Sequence, residues 1–155
     1  MTFSADVRRA ARPWEDYPGH PWRMRDHTSL LAWQVSMDLS VEVYKVSVAR
    51  WRPAAKAAFD QLGRASLSVP LNISEGYTWR PGKRWLFHLR VALGSAVETT
   101  DVLRFLGVVA VLSESELGPL ERESRRAQAL VLALLRREGG GYQTVSPLTS
   151  HGFPP

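Results

Sequence analysis

Residues 77–97 hold Arg80, Lys83, Arg84 and Arg90, no carboxylate, and the rings of Trp79, Trp85, Phe87 and His88. Cations at this density neutralise phosphates, and an exposed aromatic ring among them can stack on a base. On a helix opening near Pro81, Lys83, Phe87 and Arg90 share one side, and Arg84 and His88 lie on the next. Trp79 and Arg80 fall in the loop before it. Cations at a helix N-terminus oppose the macrodipole, so the helix itself gives no reason for them, whereas an external anionic partner does. The competing role is structural, with Trp85 and Phe87 as core or contact residues and the cations solvating a helix end. Arg64 and Arg104 are weaker candidates for the same surface.

Other chemistry finds less support. The chain has no cysteine, which removes disulfides, thiolate metal sites and a cysteine nucleophile. Its four histidines are scattered, and none follows a glutamate by three places as a di-iron bundle requires. No metal site and no cofactor are expected. Glu98 and Asp101, three apart, could form an acid/base pair, but a structural ion pair with Arg64 or Arg104 needs fewer conditions. No Ser/His/Asp arrangement or phosphate loop is present, and the expectation is a protein without enzymatic activity.

The elements that must position these residues are helices. The first starts after Thr28 or Ser29, either of which can cap it. It carries two adjacent stripes: Leu30, Trp33, Met37, Val41, Tyr44 and Val48, and beside them Leu31, Val35, Leu39, Val43 and Val46. Two stripes exceed the single face that a lone bundle helix buries. The second runs from Pro53 to about Glu75, with Gly76 as C-cap and Pro70 bending its middle. Asn72 would satisfy backbone groups that Pro70 leaves without partners. The third extends from Pro81 to about Val111, with Trp85, Leu89, Ala92, Ala96, Thr99 or Thr100, Leu103 and Leu106 inward. The fourth follows Ser113 or Ser115, Ser113 and Glu116 matching a capping box. Leu120, Ala127, Val131 and Leu134 keep helical spacing in it.

No strand-like alternation competes. The expected fold is all-α, an antiparallel up-and-down four-helix bundle over residues 29–138. An extended arm rich in Pro and Trp (1–28) precedes it, and a flexible tail (139–155) follows. The arm lacks the apolar run of a secretion signal, and the longest uncharged apolar stretch, Phe105–Leu112, is too short to span a bilayer. A cytoplasmic protein with no membrane contact is the expectation.

Three segments carry a resemblance: AWQVSMDLSVEVYKV at 32–46, QLGRASLSVPLNISEG at 61–76 and FHLRVALGSAVETTDVL at 87–103. The Pro-x-Asn-Ile-x-Glu-Gly block is the most specific part. The chain resembles the four-helix bundle family of 23S rRNA intervening-sequence proteins over roughly 30–137. The resemblance implies a ring-like homopentamer. It also relates the chain to the accessory variability protein of diversity-generating retroelements, a basic pentamer that binds nucleic acid and works with a reverse transcriptase. Two features depart from the family: Trp79-Arg80-Pro81-Gly82-Lys83 stands where a polar Arg-x-Ser loop is common, and the arm is rich in tryptophan. The expected function is that of a homo-oligomeric accessory protein binding RNA or DNA by its backbone through Arg80, Lys83, Arg84 and Arg90. The rival is a protein scaffold whose arm grips a partner such as a polymerase through Trp14 and Trp22.

Overall fold

A computed structural model describes residues 26–139. The N-terminal arm before Asp26 and the tail beyond Gly139, with Trp14 and Trp22, lie outside the described residues. Four helices make the body: α1 Leu31–Arg50, α2 Lys56–Tyr77, α3 Lys83–Val108 and α4 Glu114–Arg137. Short 3-10 turns, His27–Ser29 and Pro53–Ala55, precede α1 and α2. Among the described residues there is no strand and no helix long and apolar enough to cross a membrane.

Each helix packs on its neighbours in sequence, and α1 closes the ring against α4. The Trp33 indole donates to Ser74 Oγ at 2.9 Å and Ser40 to the Ser66 carbonyl at 2.9 Å, so α1 and α2 run in opposite directions. Ser68 with Ser95 (2.9 Å) and Asn72 with His88 (3.1 Å) set the same relation for α2 and α3. Gln128 on Ala96 O (3.1 Å) and Arg104 on Glu121 (2.7 Å) set it for α3 and α4. Two apolar clusters fill the interior. One holds Trp33, Val69, Ile73, Trp85, Leu89 and Val131; the other holds Leu39, Val43, Phe59, Leu62, Leu103 and Leu106. Each large side chain so buried contributes about 1.5–3 kcal/mol. The inward stripe of α3 is as its spacing predicts, with both Thr99 and Thr100 buried.

The helix ends differ from expectation in instructive ways. Neither Thr28 nor Ser29 caps α1; Asp26 caps the 3-10 turn instead, accepting from the Thr28 amide at 3.0 Å, and α1 begins after Leu30. Glu116 forms the capping box of α4, its carboxylate accepting from the Ser113 N–H at 2.9 Å and hydroxyl at 2.6 Å. These bonds and one from Arg50 bring the Glu116 pKa down to about 2. Pro70 sits buried inside an α2 that continues past it. The carbonyl it deprives of an amide belongs to Ser66, and the Ser40 hydroxyl of α1, whose one hydrogen is shared with the Ser36 carbonyl at 2.8 Å, reaches it at 2.9 Å. Asn72 is the local hydrogen-bond satisfier expected, although at a different carbonyl: its amide donates to the Ser68 carbonyl at 2.9 Å, and its Oδ1 takes His88.

Gly76 is not a C-cap. It lies buried within the last turn of α2, where a Cβ would fall 2.6 Å from His88 Cβ and 2.8 Å from Trp85 Cε3. Glycine is present so that α3 can approach, not to supply a left-handed turn.

Candidate nucleic-acid interface

α2 ends with the Thr78 hydroxyl donating to the Glu75 carbonyl at 2.8 Å, and the chain turns through residues 78–82 into α3. That turn is anchored from beneath. Trp85, with no exposed surface, sits against Gly76 and meets the Tyr77 ring edge-on at 6.0 Å. Trp85 is therefore core; its Nε1 is buried and has no hydrogen-bond partner among the described residues. Phe87, two places on, points out and is 59% exposed. His88 is held between them, its Nδ1 3.1 Å from Asn72 Oδ1. Because the Asn72 amide already donates to Ser68, Oδ1 is the acceptor and His88 Nδ1 carries the proton.

The six candidate cations separate into three kinds. Lys83, Arg84 and Arg90 are exposed, and among the described residues no carboxylate pairs with them. Arg84 lies over the exposed Trp79 ring at 4.3 Å, a cation–π contact that leaves its charge facing water. Arg80 is different. It is half-buried, bonds Glu138 at 2.6 Å and lies over Tyr77 at 5.8 Å. The Glu138 bond raises its pKa further above the ordinary arginine value. Burial pushes the Glu138 carboxyl up, but the bonds and charges of Arg80 and Arg137 hold it below the usual carboxylate range. Arg80 thus ties the turn to the end of α4 and has little charge left for a ligand.

Arg64 and Arg104 do not join this group. Arg64 bonds the Gln61 side chain, which in turn reaches Glu98. Arg104 is paired with Glu121 at 2.7 Å and Asp101 at 3.6 Å, and stands about 30 Å along α3 from Lys83 by helical rise. Glu98 is exposed and makes an ion pair with neither arginine, because it lies on the outer edge of the α2–α3 seam, where Gln61 intervenes. Sequence reasoning also missed a contribution. The Arg80–Glu138 bond brings the end of α4 to this turn, and with it exposed Arg136 and Arg137. Helix order held the signal, since the fourth helix of an up-and-down bundle ends beside the start of the third. Among the described residues no group of three or more His, Asp or Glu side chains is placed to hold a metal ion.

What these observations define is a four-helix bundle protein with one cationic, aromatic end. The chain belongs to the 23S rRNA-intervening sequence protein family, which matches residues 28–133. It is similar in fold to a crystal structure of a protein of unknown function from the S23 ribosomal protein family of Bacteroides thetaiotaomicron VPI-5482. The two share 20% identity and a TM-score of 0.61, over 68% of this chain and 96% of that one. Comparison with curated proteins finds no match.

Proposed function

We propose that this protein is a non-enzymatic, homo-oligomeric accessory protein that binds the phosphate backbone of RNA or DNA, as the pentamer that the family resemblance implies. A reverse transcriptase of a diversity-generating retroelement is the partner that the same resemblance suggests. One observation carries the binding role: Lys83, Arg84 and Arg90 stand exposed, without carboxylate partners among the described residues, around exposed Phe87 and Trp79. A solvated helix end does not call for two exposed aromatic rings, one of them open and one beneath an arginine, whereas stacking on unpaired bases does. Self-association would set several copies of this modest patch side by side and multiply its grip.

The test is charge reversal. Lys83→Glu with Arg84→Glu, at exposed positions in the first turn of α3, is expected to keep the helical circular dichroism spectrum and not to lower the melting temperature, since acidic side chains suit a helix N-terminus. Binding to fluorescently labelled single-stranded RNA should fall at least tenfold, as it should for single-stranded DNA. Unchanged binding by the folded double variant removes the proposal.

A further inference from the structure

The exposed large apolar side chains are unevenly spread. All of those among the described residues belong to α1, α2, α3 or the turns that follow them; α4 exposes none. Its outward positions are charged or small, as for a helix that faces water. Single exposed apolar residues need no explanation, but a regular stripe does. Along α1 and its following turn, Val41, Tyr44, Val48 and Trp51 recur at steps of three and four, and are 42%, 70%, 63% and 58% exposed. That is the spacing of a helix seam awaiting another helical surface.

A complementary surface exists on the same chain. An open, mainly apolar groove runs between α2 and α3, lined by Ala58, Gly94, Val97, Val102 and Phe105. Gly94 has nothing within 4 Å of where a Cβ would stand, so a helix can come close there. The lengths agree: the stripe covers about 15 Å and the α3 side of the groove about 17 Å, at 1.5 Å per residue. The charges agree as well. Glu98 and Asp101 line the groove, and Lys45 and Arg52 stand on one flank of the stripe within reach of them, a flank shared with the carboxylates of Asp38 and Glu42. Lys45 and Asp101 hold partners on their own helices, half-buried Glu42 and exposed Arg104, which can be exchanged at little cost. Groove against groove would bring concave face to concave face and carboxylate to carboxylate.

We infer that the α1 stripe of one copy seats in the α2–α3 groove of the next, a head-to-tail contact that leaves α4 on the outside. This rests on the self-association proposed above and adds the pair of surfaces that makes it. Every copy then offers one stripe and one groove, so the assembly closes into a ring where the rotation permits.

Two full-length variants test it. Tyr44→Glu with Val48→Glu spoils the stripe; Val97→Glu with Phe105→Glu spoils the groove, and two acidic surfaces cannot rescue one another in a mixture. By native mass spectrometry the wild type should be a multimer and each variant alone a single chain. Their equimolar mixture should give two chains and nothing larger, because one intact stripe meets one intact groove. If either double variant loses its helical spectrum, the single substitutions Tyr44→Glu and Val97→Glu carry the same comparison. A multimeric wild type whose mixed variants stay as single chains overturns this pairing alone, as does a variant that dimerises by itself. A single-chain wild type overturns both the pairing and the self-association, while RNA binding remains separately measurable.

Discussion

Replacing Gly76 by alanine adds one methyl group at the tightest contact between α2 and α3. The new Cβ would lie 2.6 Å from His88 Cβ and 2.8 Å from Trp85 Cε3, both closer than carbon atoms tolerate. Neither neighbour can swing aside. His88 Cβ is bonded directly to the α3 backbone, and Trp85 has no exposed surface and is packed in the core. The first turns of α3 must therefore shift outward, and overpacking of this kind costs about 1–3 kcal/mol. Alanine recovers up to about 1 kcal/mol through helix propensity, but a shifted α3 also loosens the buried contacts of Trp85 and Leu89. The net expectation is a loss of about 2 kcal/mol, near 10 °C in melting temperature for a domain of this size. Gly63 of the same helix is the control, because nothing lies within 4 Å of its Cβ position. Gly63→Ala should stabilise by about 0.5–1 kcal/mol. Urea unfolding followed by circular dichroism, with all three proteins at one concentration, reads both. A Gly76→Ala variant as stable as Gly63→Ala refutes the close approach.

Ser40→Ala leaves the Ser66 carbonyl, beside Pro70, without its donor in a buried position, and should cost about 1–2 kcal/mol in urea unfolding. Glu116 has a folded pKa of about 2 against an ordinary 4.5, so the stability from its charge is complete above pH 4.5 and is lost as the pH falls toward 2. Glu116→Gln should accordingly be less stable than wild type by about 1 kcal/mol at pH 7, after screening at a partly exposed site, and the gap should close in urea titrations taken down to pH 2.5. Arg80→Ala should lower stability by about 1–2 kcal/mol through the half-buried Glu138 pair, yet change the salt dependence of RNA binding less than Lys83→Ala does. Salt slopes of the two variants, measured side by side, decide that point.

Much of the bundle was legible in local pattern. Helical spacing marked the interior of α3 from Trp85 to Leu106, and the Ser113–Glu116 spacing marked the start of α4, because both depend on residues within a few positions of one another. Apart from the opening turn, what escaped depends on distant partners. Asp26, rather than Thr28 or Ser29, caps the opening turn because a 3-10 turn comes before α1. Gly76 reads as a helix stop in sequence, and only the arrival of Trp85 and His88 shows it to be a contact. Arg80 looks like one more free cation until Glu138, 58 residues away, is seen against it. The two stripes of α1 were visible, but not their division. Val35, Leu39 and Val43 go inward, whereas Val41, Tyr44 and Val48 stay bare, since the placement of α2 and α4 decides which side is covered. For the basic end, Lys83, Arg84 and Arg90 were legible as charge without local compensation. Arg136 and Arg137 were not, because they reach the turn only through the packing of α4.

The most direct test is the affinity of the wild-type protein for labelled single-stranded RNA as sodium chloride is raised from 50 to 300 mM. Backbone binding through Lys83, Arg84 and Arg90 predicts a linear fall in log affinity against log salt, with a slope at least as steep as about −2 for each chain engaged, and steeper where Arg136 and Arg137 take part. Affinity that does not change with salt, or no binding at 50 mM, would contradict the account.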